Sequence, residues 1–186
     1  MRRITVKAGV VLFVIVSFCG CDKINMFNCK FERESVNNFR FEGIKLDNFN
    51  SLSDIKPLDV LSIGTTLASG KAPIKFNLNV EGKNPNKSVA AIEKMDWKVL
   101  IDDSEFLGSI TETYSIPAEG TSILPLEIGF DAIKVLDGKT PLSLFNLYQN
   151  IMGKSTGQSS NVTIMIRPTI LGIQFPNYIT LNQTIN

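Results

Sequence analysis

Histidine is missing from all 186 residues, and cysteine occurs three times. Without histidine there is no Ser-His-Asp triad, no Cys-His dyad, no ordinary catalytic zinc set and none of the commonest general base. The phosphate-cradling glycine motifs G-x-x-x-x-G-K-[ST] and G-x-G-x-x-G are also missing, so no loop is built to hold a nucleotide. Charge of one sign is not in excess: 19 basic side chains face 18 acidic ones, for a formal net charge of +1. A near-neutral body has no electrostatic footprint for a phosphate backbone, which argues against a nucleic-acid partner. Long apolar runs are absent too. The run at residues 8–18 is about 11 residues, against the ~20 that a helix needs to cross a bilayer. What remains, 44% hydrophobic and 20% charged, is the composition of an ordinary globular core.

The first 21 residues, MRRITVKAGVVLFVIVSFCGC, have a basic head (Arg2, Arg3, Lys7), the apolar run and a small-residue exit at Cys19-Gly20-Cys21. That is the anatomy of a secretory signal. Its exit resembles the bacterial lipoprotein signal, with Phe18, Cys19 and Gly20 preceding the acylated cysteine, here Cys21. The resemblance implies a signal peptide at 1–20, palmitate-type acylation of Cys21, and a body held on a membrane outside the cytoplasm. Acyl chains bind membranes at about 0.8 kcal/mol per buried CH₂, so several chains anchor firmly. Without its basic head the chain turns acidic by about two charges. With Cys19 removed and Cys21 acylated, Cys29 is left without a disulfide partner and reads as an inert buried side chain. Residues 21–38 show no clear period and read as a tether, with a single body over 39–186.

Strand periodicity dominates that body. Ile74, Phe76, Leu78 and Val80 alternate with polar residues, and so do Met95, Trp97, Val99 and Ile101 after the turn Asn84-Pro85-Asn86. Alternation with period two makes one apolar and one polar face. Phe39, Phe41, Ile44 and Leu46 suggest an opening strand with a bulge at Gly43. A strand over 105–116 is expected to break at Gly108. Pro117 to Gly120 reads as a turn. Pro125 places the strand around Leu124, Leu126 and Ile128 at an edge, since proline donates no ladder bond. Residues 50–71 are ambiguous between a short helix and an irregular crossing. One helix is clear: Thr140 as N-cap, Pro141 in the first turn, an apolar stripe of Leu142, Phe145, Tyr148, Ile151 and Met152, and Gly153 as the stop. Val162, Ile164 and Ile166 continue the strands, and 170–179 suggest a last short one. Several strands with turn signals between them and one accessory helix read as a β-sandwich.

The ordered set Asn84-Pro85-Asn86, Asp96-Trp97-Lys98-Val99, the acidic hairpin Asp102-Asp103-Ser104, Gly108, Ile116-Pro117-Ala118-Glu119-Gly120 and Leu124-Pro125-Leu126 resembles the late embryogenesis abundant type 2 family (LEA-2, the water-stress and hypersensitive-response domain). It spans about residues 72–170. The resemblance implies an immunoglobulin-like or fibronectin III-like antiparallel β-sandwich with a helix, no catalytic residues and no cofactor. Two departures bear on the turns. Gly82 stands where the family carries an apolar residue, which suggests an early kink. Asp102-Asp103-Ser104 replaces an Asn-Gly hairpin, which suggests a loop longer than two residues.

Candidate chemistry is sparse. Asp102, Asp103 and Glu105 could approach a Ca²⁺ ion, but they lack the Asp-x-Asp-x-Asp-Gly spacing, and an exposed acidic turn is the favoured reading. A glycosidase-like pair of carboxylates would have to come from separate loops. Trp97 on a patterned strand reads as core. The expectation is a non-enzymatic, lipid-anchored envelope protein, acting as a binding or stress-protective module on an envelope protein partner. The alternative is a carrier of an acyl chain or other apolar ligand held between sheet and helix by Trp97, Phe145 and Tyr148. The anchor has a direct test: cells fed a fatty-acid analogue should label the wild-type chain and not Cys21→Ala, and label persisting in that variant would remove Cys21 as the anchor.

Overall fold

The computed structural model describes residues 26–47, 49–154 and 160–181; the signal segment and Cys21 lie outside them. Ten strands and two α-helices follow in order: β1 (Lys30–Phe41), β2 (Ile44–Lys45), α1 (Pro57–Ala68), β3 (Pro73–Asn84), β4 (Ala90–Ile101), β5 (Ser104–Ile110), β6 (Tyr114–Ile116), β7 (Gly120–Asp131), α2 (Pro141–Met152), β8 (Val162–Ile170), β9 (Ile173–Gln174) and β10 (Ile179–Leu181). The strands form two antiparallel sheets. One runs β2-β1-β3-β7 and the other β10-β8-β4-β5, with β6 on β4 and β9 on β8. The chain is mainly β, a sandwich whose inner faces are those that the alternation marks. Ile74, Phe76, Leu78 and Val80 are buried on β3, and Met95, Trp97, Val99 and Ile101 on β4. Among the described residues no helix is long and apolar enough to cross a membrane.

Several local expectations change. The accessory helix has a companion, because α1 takes up part of the ambiguous 50–71 stretch. Pro57 starts it and Ile63 and Leu67 point inward. The body begins at Lys30 rather than at 39: residues 30–38 of the expected tether are strand. Two register shifts, between Arg33 and Ser35 and between Asn37 and Arg40, interrupt the inward period of Phe31, Val36, Phe39 and Phe41, so the sequence shows no clean alternation there. Gly43 is not a bulge. With Glu42 it makes the two-residue turn between Phe41 and Ile44, at φ 84° and 48° respectively, as in hairpins whose twist favours positive φ at both corners. The acidic hairpin is likewise two residues, since Ile101 pairs with Ser104 and Asp102 sits at φ 51°.

Gly82 does not kink its strand. It stays in register between Phe31 and Ser122 because the Ile116 side chain occupies the space a Cβ would fill, 2.6 Å away. Gly108 stays inside β5, and the break falls instead between Ile110 and Tyr114. Its role is to admit Trp97: a Cβ built at Gly108 would lie 2.2 Å from the indole Cζ2. Pro125 is where the sequence puts it. β7 pairs only with β3 in its sheet, so the missing N–H faces no neighbour, and the Pro125 carbonyl accepts from Tyr114 Oη at 2.6 Å.

The turn Asn84-Pro85-Asn86 works through a buried amide. Asn84 Nδ2 lies 2.8 Å from the Ser88 carbonyl, 3.0 Å from Pro117 O and 3.3 Å from Ile116 O. Asn84 Oδ1 accepts from Asn86 N at 3.1 Å and from Asn86 Nδ2 at 2.9 Å. One side chain thus ties the β3–β4 turn to the β6–β7 turn. α2 is capped as expected: Thr140 Oγ1 accepts from Ser143 N, Ser143 Oγ accepts from Thr140 N, and Gly153 closes at φ 75°. Its stripe differs at one end. Leu142 is exposed, while Leu144 and Leu147 join Phe145, Tyr148 and Ile151 in the core.

Two glycines separate packing from backbone freedom. Gly108→Ala should destabilise by about 1–3 kcal/mol through overpacking against Trp97. Gly64→Ala in α1, where nothing lies within 4 Å, should stabilise by about 0.5–1 kcal/mol through helix propensity. Urea unfolding midpoints of both variants measure this, and equal shifts would contradict the packing of Trp97.

Candidate functional site

The pole carrying the β4–β5 hairpin is concave. A cleft of about 260 Å³ lies between that hairpin and the first turns of α2, lined by Asp102, Val135, Asp137, Leu142, Asn146 and Asn150 among others. A wider hollow of about 480 Å³ continues past the hairpin along Asp103, Ser104, Lys134 and Gly138. Local sequence explains the walls. The Thr140–Pro141 cap starts α2 with its polar side outward, and Ser143, Asn146 and Asn150, three and four residues apart, lie along one helical face. Asp102 is held from both ends: its N–H donates to Asn161 O at 3.0 Å, and its Oδ1 accepts from Asn161 N at 2.9 Å. That pair fastens the hairpin to the residues leading into β8.

The acidic trio does not converge. Glu105 is drawn along the sheet to Lys98 Nζ at 2.7 Å, Asp102 is committed to Asn161, and among the described residues no three Asp, Glu, Cys or His side chains could hold a metal ion together. The cleft offers hydrogen-bond acceptors, amides and a short apolar floor.

Of the expected apolar binding residues, Phe145 and Tyr148 touch, and Trp97 stands apart from both. Trp97 is 5% exposed, Phe145 7% and Tyr148 0%. Phe145 lies 5.6 Å from Tyr148, which meets Phe39 edge-on at 5.2 Å. Phe39 stacks with Phe76 at 5.9 Å, Phe76 meets Phe130 at 6.4 Å, and Phe130 meets Trp97 at 6.4 Å. An unbroken row of rings therefore fills the space between the helix and Trp97. Tyr148 Oη donates to Asp47 O at 3.2 Å, fixing that ring further, and none of the three residues lines either cleft.

Groups with displaced protonation also lie outside both clefts. Burial pushes the Cys29 thiol up, and burial followed by the Asp47 charge does the same for Tyr148. Burial and Glu112 raise Tyr114, whose hydroxyl lies 2.8 Å from that carboxylate. Burial lowers Arg33, whose Nη2 donates to Ile151 O at 2.6 Å at the end of α2. Asp96 is the informative case. Burial alone would raise its carboxyl, but bonds from Lys94, Ser109 and Arg167 and the Lys94 charge outweigh that and hold it low. Lys94 Nζ is 2.9 Å from Oδ1, and Arg167 Nη2 and Gln174 Nε2 are 3.0 and 2.7 Å from Oδ2. Tyr178 covers the Arg167 guanidinium at 4.6 Å and Lys98 Nζ at 4.9 Å. This cluster on the outer face of the six-stranded sheet pins β8, β9 and the residues before β10 onto β4. Its members are charges on a strand's polar face, so sequence reading passes over them; Asp96 opposite Arg167 becomes a pair only once β4 and β8 are in register.

No protein-family model matches the chain, and no curated protein matches it either. Solved structures give distant likenesses. One is a protein from Archaeoglobus fulgidus, 10% identical, with 83% of this chain and 100% of that one covered at a TM-score of 0.39. Another is a solution structure described as a late embryogenesis abundant protein, 12% identical, covering 88% and 71% at 0.41. A third is a structural-genomics target, 12% identical, covering 83% and 86% at 0.34. At these values the likenesses carry no function to this chain.

Asp96 has a signed pH test. Its folded pKa is depressed, so its contribution is present above the unfolded carboxylate value of about 3.9 and fades as pH falls through the folded value. Asp96→Asn leaves Lys94 and Arg167 facing each other and should cost about 1–3 kcal/mol at neutral pH. The gap from wild type should close in acid. Denaturant unfolding at pH 7 and pH 3 checks this, and a gap that stays constant with pH would refute the assignment.

Proposed function

We propose that this chain is a non-enzymatic envelope protein, acylated at Cys21 and held outside the cytoplasm, whose sandwich is a binding or stress-protective module. The lipoprotein-like exit at residues 18–21 supports the anchor. The resemblance of residues 72–170 to the LEA-2 family supports an immunoglobulin-like or fibronectin III-like sandwich and the protective role.

The observation that carries the binding role is the position of the cleft. The chain joins the body beside the Asn84–Pro85–Asn86 turn, since Lys30 pairs with Lys83, whereas the cleft lies at the opposite pole, beside the β4–β5 hairpin. A body tethered at one end presents its cleft away from the membrane, toward a partner in the envelope. The paired or dispersed carboxylates favour binding over hydrolysis. The carrier reading has less behind it, because the rings between sheet and helix already occupy the space that a chain would need.

A photo-crosslinking side chain at Asn146 tests the orientation and the role together. It should yield an adduct with an envelope protein in living cells, while the same group at Ser115, remote from the cleft, should yield no protein adduct. A deletion strain should be sensitive to envelope stress and recover with the wild-type chain. No adduct at Asn146 and no phenotype on deletion would overturn the proposal.

A further inference from the structure

The pole where the chain joins the body gathers exposed apolar side chains from several separate segments. Four segments meet there: the turn Met26–Asn28, the β3–β4 turn at 85–89, the β6–β7 turn at 117–120 and the β8–β9 hairpin at 171–172. The register brings them together. Ala90 pairs with Ile116, Ile92 with Ile170, and Leu171 N donates to Ala91 O at 3.1 Å. Phe27 is 41% exposed, Val89 53%, Leu171 39% and Ile173 36%. Large apolar side chains from three of the four segments thus remain in water on one rim.

Leu171 breaks two local rules at once. The two-residue hairpin Leu171-Gly172 has φ of 50° and 74°, and its first corner favours Asn, Asp or Gly. A leucine there is disfavoured by the backbone and by exposure, so an asparagine would suit both needs of an isolated soluble domain better. The hairpin is also braced: Glu93 Oε2 accepts from Gly172 N at 3.1 Å, which holds the leucine outward. Exposed Lys30 and Lys87 stand at the same pole, as does Glu119.

We infer that this rim is a membrane-contact surface, with Phe27, Val89, Leu171 and Ile173 seated in the headgroup region of a lipid bilayer. The inference rests on the reading that residues before Met26 anchor the chain. Met26 lies five positions after Cys21, with four residues between them, a reach of at most about 18 Å. Anchoring at Cys21 therefore brings this pole, and no other, within touching distance of the bilayer. The junction itself does not swing freely. Phe27 and Phe31 both pack edge-on against Phe175, at 5.0 and 6.0 Å, and Cys29 Sγ is 3.7 Å from Asn84 Oδ1. Exposed apolar side chains flanked by charges of both signs (Lys30 and Lys87, Glu93 and Glu119) suit the headgroup region of a bilayer, and the Asp102, Asp103 and Asp137 pole is turned away from it.

The test uses the full chain produced in a host that processes lipoproteins, reconstituted into vesicles of phosphatidylethanolamine and phosphatidylglycerol. A polarity-sensitive fluorophore is attached at Leu171→Cys or Val89→Cys, and for comparison at Asp137→Cys or at Leu58→Cys on the exposed side of α1. Cys29, being buried, stays largely unlabelled. The rim labels should shift to the blue and lose emission to a nitroxide-bearing lipid, while the comparison labels should remain water-like. Leu171→Asn should leave thermal unfolding unchanged or raise it, and should return a label at Val89→Cys toward the aqueous spectrum. Flotation separates the two readings. A chain that does not float with the vesicles overturns the anchor and the rim together. A chain that floats with rim labels still water-like, or with Leu58→Cys quenched in their place, overturns the rim alone.

Discussion

Everything in this molecule depends on two inner sheet faces being held together by aromatic rings of complementary size. Phe76 from β3 stands between Phe39 of β1 and Phe130 of β7, and Phe130 bridges to Trp97 on the opposite sheet. Phe106 stacks on Phe130 at 4.2 Å, closing the β5–β7 side, and Tyr148 from α2 meets Phe39 on the β1 side. Large rings dominate core energetics because each removes a large apolar area from water. They also fix geometry: Gly108 exists in its strand because the indole lies where its side chain would be. Rings packed in this way occupy the space between the layers.

Those ends differ in chemistry. At the pole where the chain joins the body, short turns tied by Asn84 expose apolar side chains and lysines. At the other, aspartates, amides and the first turn of α2 surround a cleft. The strands run from one pole to the other, so a side chain's address along a strand decides which environment it meets. An anchored, oriented body would use this division directly, with one end for lipid and the other for a partner.

Much of the fold was legible because it obeys short periods. The twelve-residue strands β3 and β4 show their alternation openly, the Thr140–Pro141 start and Gly153 stop bracket α2, and Pro125 declares an edge. Failures came where spacing and geometry part company. β1 hides because two register shifts displace Val36 and Phe39 from strict alternation. Gly43 and Asp102 occupy two-residue turns whose type depends on strand twist. Leu142 follows the stripe of its helix yet lies beyond the core, over the cleft. The candidate cleft was barely legible: Ser143, Asn146 and Asn150 look like the wet face of an amphipathic helix until the hairpin carrying Asp102 is laid opposite them.

The amino-acid order by itself determined that this is a strand-built body with a capped helix and without histidine chemistry. Local rules suffice for that, since period, capping and composition act over a few residues. Only the tertiary structure decided which charges pair across strands, that Trp97 and Tyr148 are separated by a filled row of rings, and that Phe27, Val89, Leu171 and Ile173 share one rim. Those facts join residues up to 146 positions apart, and no local preference encodes such a distance. It is set by the register of β1 on β3 and of β4 on β8, where burying one apolar face of each sheet leaves a single arrangement of the ends.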